Sequence, residues 1–201
     1  MTSRSDRGAP SSRVITSLTN DRVKLIRSLD MRKARRDTGL FVAEGASVLM
    51  AARESGWRPN MIVHGAEARD SPAHRGLIDW ALREGTEGLE VSHAVLEKLA
   101  AKENPQNLMG VFEQRWAALP EAKTLAKSAL WVALDEIRDP GNLGTIIRTI
   151  DAVGAAGVIL VGNCCDPYQR EAVRATMGSL FAVPIAAEAG TPDPNWRCQI
   201  K

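Results

Sequence analysis

Asn142, Gly144 and Arg148 are spaced so that one strand-to-helix turn can hold an anion and a cation can reach over it. The apolar run "ALWVALD" ends at Asp135, and a polar turn built on Pro140 and Gly141 feeds a helix expected to begin near Asn142. Such a turn presents free backbone N–H groups and the positive end of a helix dipole, which suits an anionic group. Gly144 leaves one helical turn bare at a cost of up to about 1 kcal/mol relative to Ala, which favours close approach by another group. Arg148 lies four residues later on the same face, so its side chain points back over that turn. The bland alternative is an i,i+3 pair with Asp151, which contributes only about a few tenths of a kcal/mol on an exposed face. A dinucleotide site is a weak reading, since the glycines do not follow G-x-G-x-x-G.

A second segment, "DPYQREAVRATMGSLFAVPI", places Arg170 and Arg174 at i,i+4 ahead of Met177, Gly178 and Ser179. It reads either as a solvated helix face closed by a C′ glycine or as a wall of the same site. Charge adds a third signal. The net charge is only +2, yet residues 1–40 hold ten Lys/Arg against four Asp, giving +6 there and −4 over the remainder. That basic end, with Arg22, Lys24, Arg32, Lys33, Arg35 and Arg36, is either a phosphate-binding footprint or a solvated helix face. Metal chemistry has little support, because Cys164, Cys165 and Cys198 lack C-x-x-C spacing and His64, His74 and His93 are scattered. The cysteines fit small buried thiols in a reducing compartment. No apolar run nears the roughly 20 residues that span a bilayer, and residues 1–12 lack the apolar segment of a secretory signal. A cytoplasmic location and no membrane partner are the expectations.

The elements that must position these residues alternate between strand and helix. Residues 1–13 read as a polar tail. Asn20 caps a helix carrying Val23, Ile26 and Leu29 at helical spacing. Leu40–Ala43 forms a strand, followed by a helix stopped at Gly56, and Met61–His64 is a second strand. Ser71-Pro72 opens a helix that Gly85 closes; "GLEV", a helix capped by Ser92 and running through Leu99, and "MGVFEQ" complete the first unit. Residues 117–127 are the expected linker between a domain at 14–116 and another at 128–201. In the latter, residues 129–135 predict a parallel strand buried on both faces. The helix from Asn142 to Val153 has Leu143, Ile146, Ile147, Ile150 and Val153 as its buried stripe. "GVILVG" follows as a strand, then a helix from Asp166-Pro167 to near Gly178, then a strand over Leu180–Ile185, with none expected beyond. The fold class is α/β.

These segments carry a family resemblance. "DPGNLGTIIRTIDAVGA" resembles the first motif of the SpoU (TrmH-like) methyltransferases of the SPOUT superfamily, an N-x-G-x-x-x-R pattern met by Asn142, Gly144 and Arg148. Arg174 to Ser179 resembles their second motif, R-A-S-M-G-[SA] before a strand ending in Pro, with Thr176 in place of Ser. "SLTNDRVKLIRSLDMRKARRDTGLFVAEG" resembles the opening of their small substrate-binding domain, and "ENPQNLMGVF" its closing strand, with Asn107 where the family usually has Gly. The resemblance runs from about Ile15 to Ile185. It implies an N-terminal L30e-like α/β substrate-binding domain followed by a SPOUT-type parallel α/β domain. It further implies methyl transfer from S-adenosylmethionine to a ribose 2′-OH of RNA, with rRNA favoured over tRNA. Arg148, matching the arginine assigned to activating that hydroxyl, and Asn142 are then the catalytic pair. RNA contacts are expected at Arg22, Lys24, Arg32, Lys33, Arg35, Arg36, Glu44, Asn104, Gln106 and Arg174. Donor contacts are expected at Gly144, Met177, Gly178, Ser179, Val183, Pro184 and Ile185.

The family's third motif forms a trefoil knot that makes most of the donor pocket and much of the dimer interface. Nothing after Ile185 resembles that motif. The expectation from sequence is therefore a truncated chain that binds S-adenosylmethionine weakly, has little activity and lacks the family's homodimer contact. The alternative is a non-catalytic RNA-binding fragment of such an enzyme.

Overall fold

The computed structural model describes residues 14–100, 107–121 and 129–188. Along the first part run α1 (Asp21–Ser28), α2 (Arg32–Thr38), β1 (Leu40–Glu44), α3 (Ala46–Glu54), β2 (Met61–Gly65), α4 (Pro72–Arg83), β3 (Glu87–Val91), α5 (His93–Ala100) and β4 (Leu108–Glu113). The strands form one sheet in the order β1-β4-β2-β3, with β4 antiparallel to both neighbours and β2 parallel to β3. Asn20 caps α1 by accepting the N–H groups of Arg22 and Val23 through Oδ1 at 2.9 and 3.4 Å. The α1 stripe of Val23, Ile26 and Leu29 is fully buried and closes one face of the sheet together with α5. The other face carries Phe41, Ala43, Ile62 and Phe112, and these join the core of the second sheet.

That second sheet is built from β5 (Trp131–Asp135), β6 (Gly157–Val161) and β7 (Ile185–Glu188), all parallel and in sequential order. Between them lie α6 (Pro140–Ala152) and α7 (Arg170–Ala175). β5 is half-buried along its length, whereas an apolar run of that kind predicts burial on both faces. It pairs only with β6 among the described residues, so β6 takes the central position. Val153, expected in the buried stripe of α6, is 65% exposed because it follows the last helical turn as the C-cap.

The segment after Gly178 departs most from expectation. Leu180–Ile185 is no strand: a 3₁₀ turn occupies Ser179–Phe181, and pairing begins only at Ile185 and runs on to Glu188. Gly178 takes φ +107°, which turns the chain. Leu180, Phe181 and Val183 are then all buried instead of alternating across a pleat. Pro184 has no N–H to donate, and its carbonyl accepts from the N–H of Val158 at 2.9 Å, ahead of the strand proper. The helix expected from Asp166 also starts later. Asp166 Oδ1 accepts the N–H of Tyr168 at 2.9 Å, an Asx turn that delays α7 until Arg170.

Aromatic side chains join the two sheets. Phe41 lies 4.8 Å from Tyr168 and 6.1 Å from Phe181 between ring centroids, and Phe181 lies 5.0 Å from Phe112. Trp57 Nε1 donates to the Phe181 carbonyl at 2.9 Å. Burial pushes the Tyr168 hydroxyl well above its usual pKa, so it stays a neutral donor to the Arg115 carbonyl. Helix α6 packs on α7 at Gly144, where an added Cβ would stand 2.4 Å from Ala175 Cβ and 2.7 Å from the Ala172 carbonyl oxygen. Gly144→Ala is expected to lower stability by about 1–3 kcal/mol through overpacking, read from urea unfolding. A gain of the helix-propensity size, about 1 kcal/mol, would show that the α6–α7 contact is loose.

Candidate functional site

The strand-to-helix turn after β5 is real, but its anion is the chain's own. Asp139 is the N-cap of α6, and its Oδ1 accepts the N–H of Asn142 at 2.6 Å. Pro140 occupies the first helical position and has no N–H, so few donors remain at this helix start. The helix therefore begins before Asn142, and the bare turn at Gly144 receives α7 in place of a ligand. Asn142 and Arg148 are both exposed on α6. Arg148 does not pair with Asp151, and its guanidinium has no hydrogen bond or ion pair among the described residues. A charged, unsatisfied fork on the first helix of a parallel sheet is available to a phosphate or a developing oxyanion.

Helix α7 is held by charge across the two sheets. Glu44, at the end of β1 with its side chain 5% exposed, accepts from both Arg170 and Arg174, the latter at 2.6 Å. Arg170 also pairs with Asp30, and its Nη2 is buried without a partner among the described residues. Arg174 Nη2 reaches the Ala100 carbonyl at 3.2 Å as well. Beside this cluster, Arg35 Nε and Nη2 both bond Asp166 Oδ2 at 2.8 Å, while Nη1 donates to the carbonyls of Leu29 and Asp30. Arg35 thus spends four of its five N–H donors inside the protein and is buried away from any phosphate. Glu44 is likewise a buried counter-ion, and Arg174 is bound to it. The other basic residues stay at the surface. Arg22 pairs with Glu87 at 3.0 Å, Lys24 with Asp21 at 3.3 Å and Arg36 with Asp37 at 3.5 Å. Arg32 and Lys33 are exposed with no partner among the described residues. Asn104 and Gln106 lie outside the described residues.

Known proteins share this fold. Residues 20–110 match the MRM3-like substrate binding domain, and residues 129–194 match the SpoU rRNA Methylase family. The crystal structure of an rRNA methyltransferase from Sinorhizobium meliloti aligns with a TM-score of 0.80 at 41% identity, over 93% of this chain and 68% of that one. The chain belongs to the SpoU rRNA methylase family. An AdoMet-bound rRNA methyltransferase structure from the same organism aligns with a TM-score of 0.79, again at 41% identity, covering 93% of this chain and 68% of that one. A 23S rRNA (guanosine(2553)-2′-O)-methyltransferase of Bacillus subtilis is 30% identical over 171 residues, 85% of this chain and 63% of the relative. An uncharacterized tRNA/rRNA methyltransferase of Synechocystis is 32% identical over 173 residues, 85% of this chain and 60% of the relative. The chain spans less than two thirds of the length of these curated relatives.

The seven residues that SpoU resemblance assigns to the donor divide in two. Gly144 is filled by α7, Gly178 packs against Ala51 with a hypothetical Cβ 2.6 Å from that methyl, and Val183 and Ile185 are buried in the core. Met177, at φ +51° and 59% exposed, Ser179 and exposed Pro184 remain accessible. Sequence reasoning missed Asp139, although Asp-Pro in the N-cap and first helical positions is a legible helix start. It also missed Asp30 and Asp166, whose partners stand 140 and 131 residues away in sequence. Among the described residues no group of His, Cys, Asp or Glu could hold a metal ion, and no helix is long and apolar enough to cross a membrane.

Removing Glu44 leaves Arg174 without a carboxylate and Arg170, largely buried, with Asp30 alone. Glu44→Ala is expected to destabilise by about 3–5 kcal/mol, read from the urea midpoint at constant m. A loss below about 1 kcal/mol would mean that the cluster behaves as a solvated surface pair.

Proposed function

We propose that this SpoU protein transfers a methyl group from S-adenosylmethionine to a ribose 2′-OH of RNA, with rRNA the favoured substrate over tRNA. The observation that carries the reading is Arg148, the motif-one arginine, exposed and unpaired among the described residues on a helix packed against α7 and β6. The Bacillus subtilis relative named as a 23S rRNA 2′-O-methyltransferase and the AdoMet-bound neighbour support it. The bound donor would supply an already activated methyl on a sulfonium centre. Met177, Ser179 and Pro184 are accessible to touch it, together with the backbone around Val183 to Ile185. Everything else falls to orientation by the chain's own groups.

Arg148 is no general base in this scheme. Guanidinium groups keep their proton in proteins, so Arg148 stays a cation throughout. It holds the phosphate next to the target ribose and stabilises negative charge growing on the 2′-oxygen. Asn142, six residues earlier on α6, offers an amide that can both donate to and accept from the ribose or backbone. The exposed cations Arg32 and Lys33 steer RNA by charge. A cytoplasmic location belongs to the same reading, and so does a domain division at residues 117–127; a homodimer is expected of the complete family member.

A second reading, RNA binding without catalysis, is favoured by Arg32 and Lys33, exposed on α2 with no partner among the described residues. Transfer of labelled methyl to RNA by the purified protein separates the two. Arg148→Ala is expected to reduce kcat about 10²–10³-fold while RNA affinity changes far less. Equal activity in wild type and Arg148→Ala would remove Arg148 from the mechanism. RNA binding that falls with salt, with no transfer at all, would select the second reading.

A further inference from the structure

A cleft of about 400 Å³ opens at the carboxyl ends of β6 and β7, between them and α2. The carboxyl ends of parallel strands are where open α/β sheets bind ligands, and the volume suits a ligand of nucleotide size. Its wall is Trp116, with Arg32 and Arg36 from α2 lining the same space and Cys165 and Pro167 on the loop beyond β6. We infer that this cleft is a stacking site for one unpaired nucleotide of the RNA substrate, with Trp116 as the platform and Arg32 and Arg36 holding its phosphates. The inference rests on the methyltransferase reading and deepens it.

Trp116 is 47% exposed, yet it is fixed. Its Nε1 donates to Gln114 Oε1 at 3.2 Å, and its ring stands edge-on to buried Tyr168 at 5.1 Å and 80°. Gln114 is itself anchored, because its Nε2 donates to the carbonyls of Arg35 and Leu40 at 3.1 and 3.3 Å. A large aromatic face that is half-exposed and already ordered loses little entropy when a base stacks on it.

Charge in the cleft agrees. Arg32 has no partner among the described residues, and Arg36 has only its exposed neighbour Asp37. The lining carboxylate of Asp166 is neutralised by Arg35 at 2.8 Å. Glu188 is the remaining acid in the lining, and a carboxylate can accept from the exocyclic amino group of a base. The loop that closes the cleft is tied to the turn before α6, since the Cys165 N–H donates to the Ile137 carbonyl at 2.7 Å. A nucleotide stacked here is therefore a near neighbour of the one presented to α6. Two arginines, an aromatic plane and an amino-group acceptor are the chemistry that recognises single-stranded RNA.

The test uses the 201-residue chain and a fluorescent single-stranded oligoribonucleotide, with anisotropy read at fixed salt. Trp116→Ala is expected to weaken binding about tenfold, Trp116→Phe about twofold or less, and neither to change binding of a blunt RNA duplex. Photocrosslinking with 4-thiouridine should label the peptide that contains Trp116. If wild type and Trp116→Ala bind the single strand equally, the stacking site is overturned while the methyltransferase reading stands. If the wild-type chain binds no RNA, both are overturned. Should Trp116→Ala lose its near-ultraviolet circular dichroism, the double variant Arg32→Ala, Arg36→Ala decides. Its single-strand affinity is expected to fall less steeply with salt, the log–log slope shrinking by about 0.7 for each phosphate that an arginine no longer neutralises. An unchanged slope overturns the site.

Discussion

Glu44 is one carboxylate facing two guanidinium groups across the seam between the two sheets, and the rest of the site depends on that arrangement. Charges taken out of water are tolerated only when each finds its partner in good geometry. Glu44 with Arg170 and Arg174, Asp30 with Arg170, and Asp166 with Arg35 meet that demand together. Each pair crosses from the substrate-binding part of the chain to the loop or helix that carries the second motif. The apolar share of the seam, Phe41, Trp57, Phe112, Tyr168 and Phe181, supplies attraction without direction. The ion pairs add direction, because a rotation of either part would strand a buried charge.

Position then passes from residue to residue. The clamp fixes α7, and α7 fixes α6 because Gly144 admits Ala172 and Ala175 into direct contact with the helix backbone. Helix α6 in turn carries Asn142 and Arg148 to the surface. Two classes of arginine result, and their sequence neighbourhoods look alike. Arg35, Arg170 and Arg174 hold the protein together, whereas Arg32 and Arg148 have no partner among the described residues and can meet a ligand.

That division marks the limit of what the sequence discloses. Local signals read well: Asn20 as a cap, Gly56 and Gly85 as helix stops, and the strands at 40–44, 61–65 and 157–161 are all in place. The two motifs identified the family, since their spacing is local too. Long-range pairing was hidden. Nothing around Arg35 in sequence shows that its partner is Asp166, so a buried arginine reads as part of a basic patch. The third strand was misplaced for a related reason. "LFAVPI" has the composition of a strand, but Gly178 and Pro184 break its pleat and its apolar side chains answer to the aromatic seam. Trp116 gave no sequence signal, because its role comes from Gln114 and Tyr168 meeting it in space.

The central claim is that this assembly presents a ribose, and no base, to the donor. The most direct measurement is to incubate the purified protein with RNA and methyl-labelled S-adenosylmethionine, digest the RNA to nucleosides and locate the label by mass spectrometry. Label on the ribose 2′-oxygen is the predicted result. Label on a base, or RNA that gains none, would contradict the account.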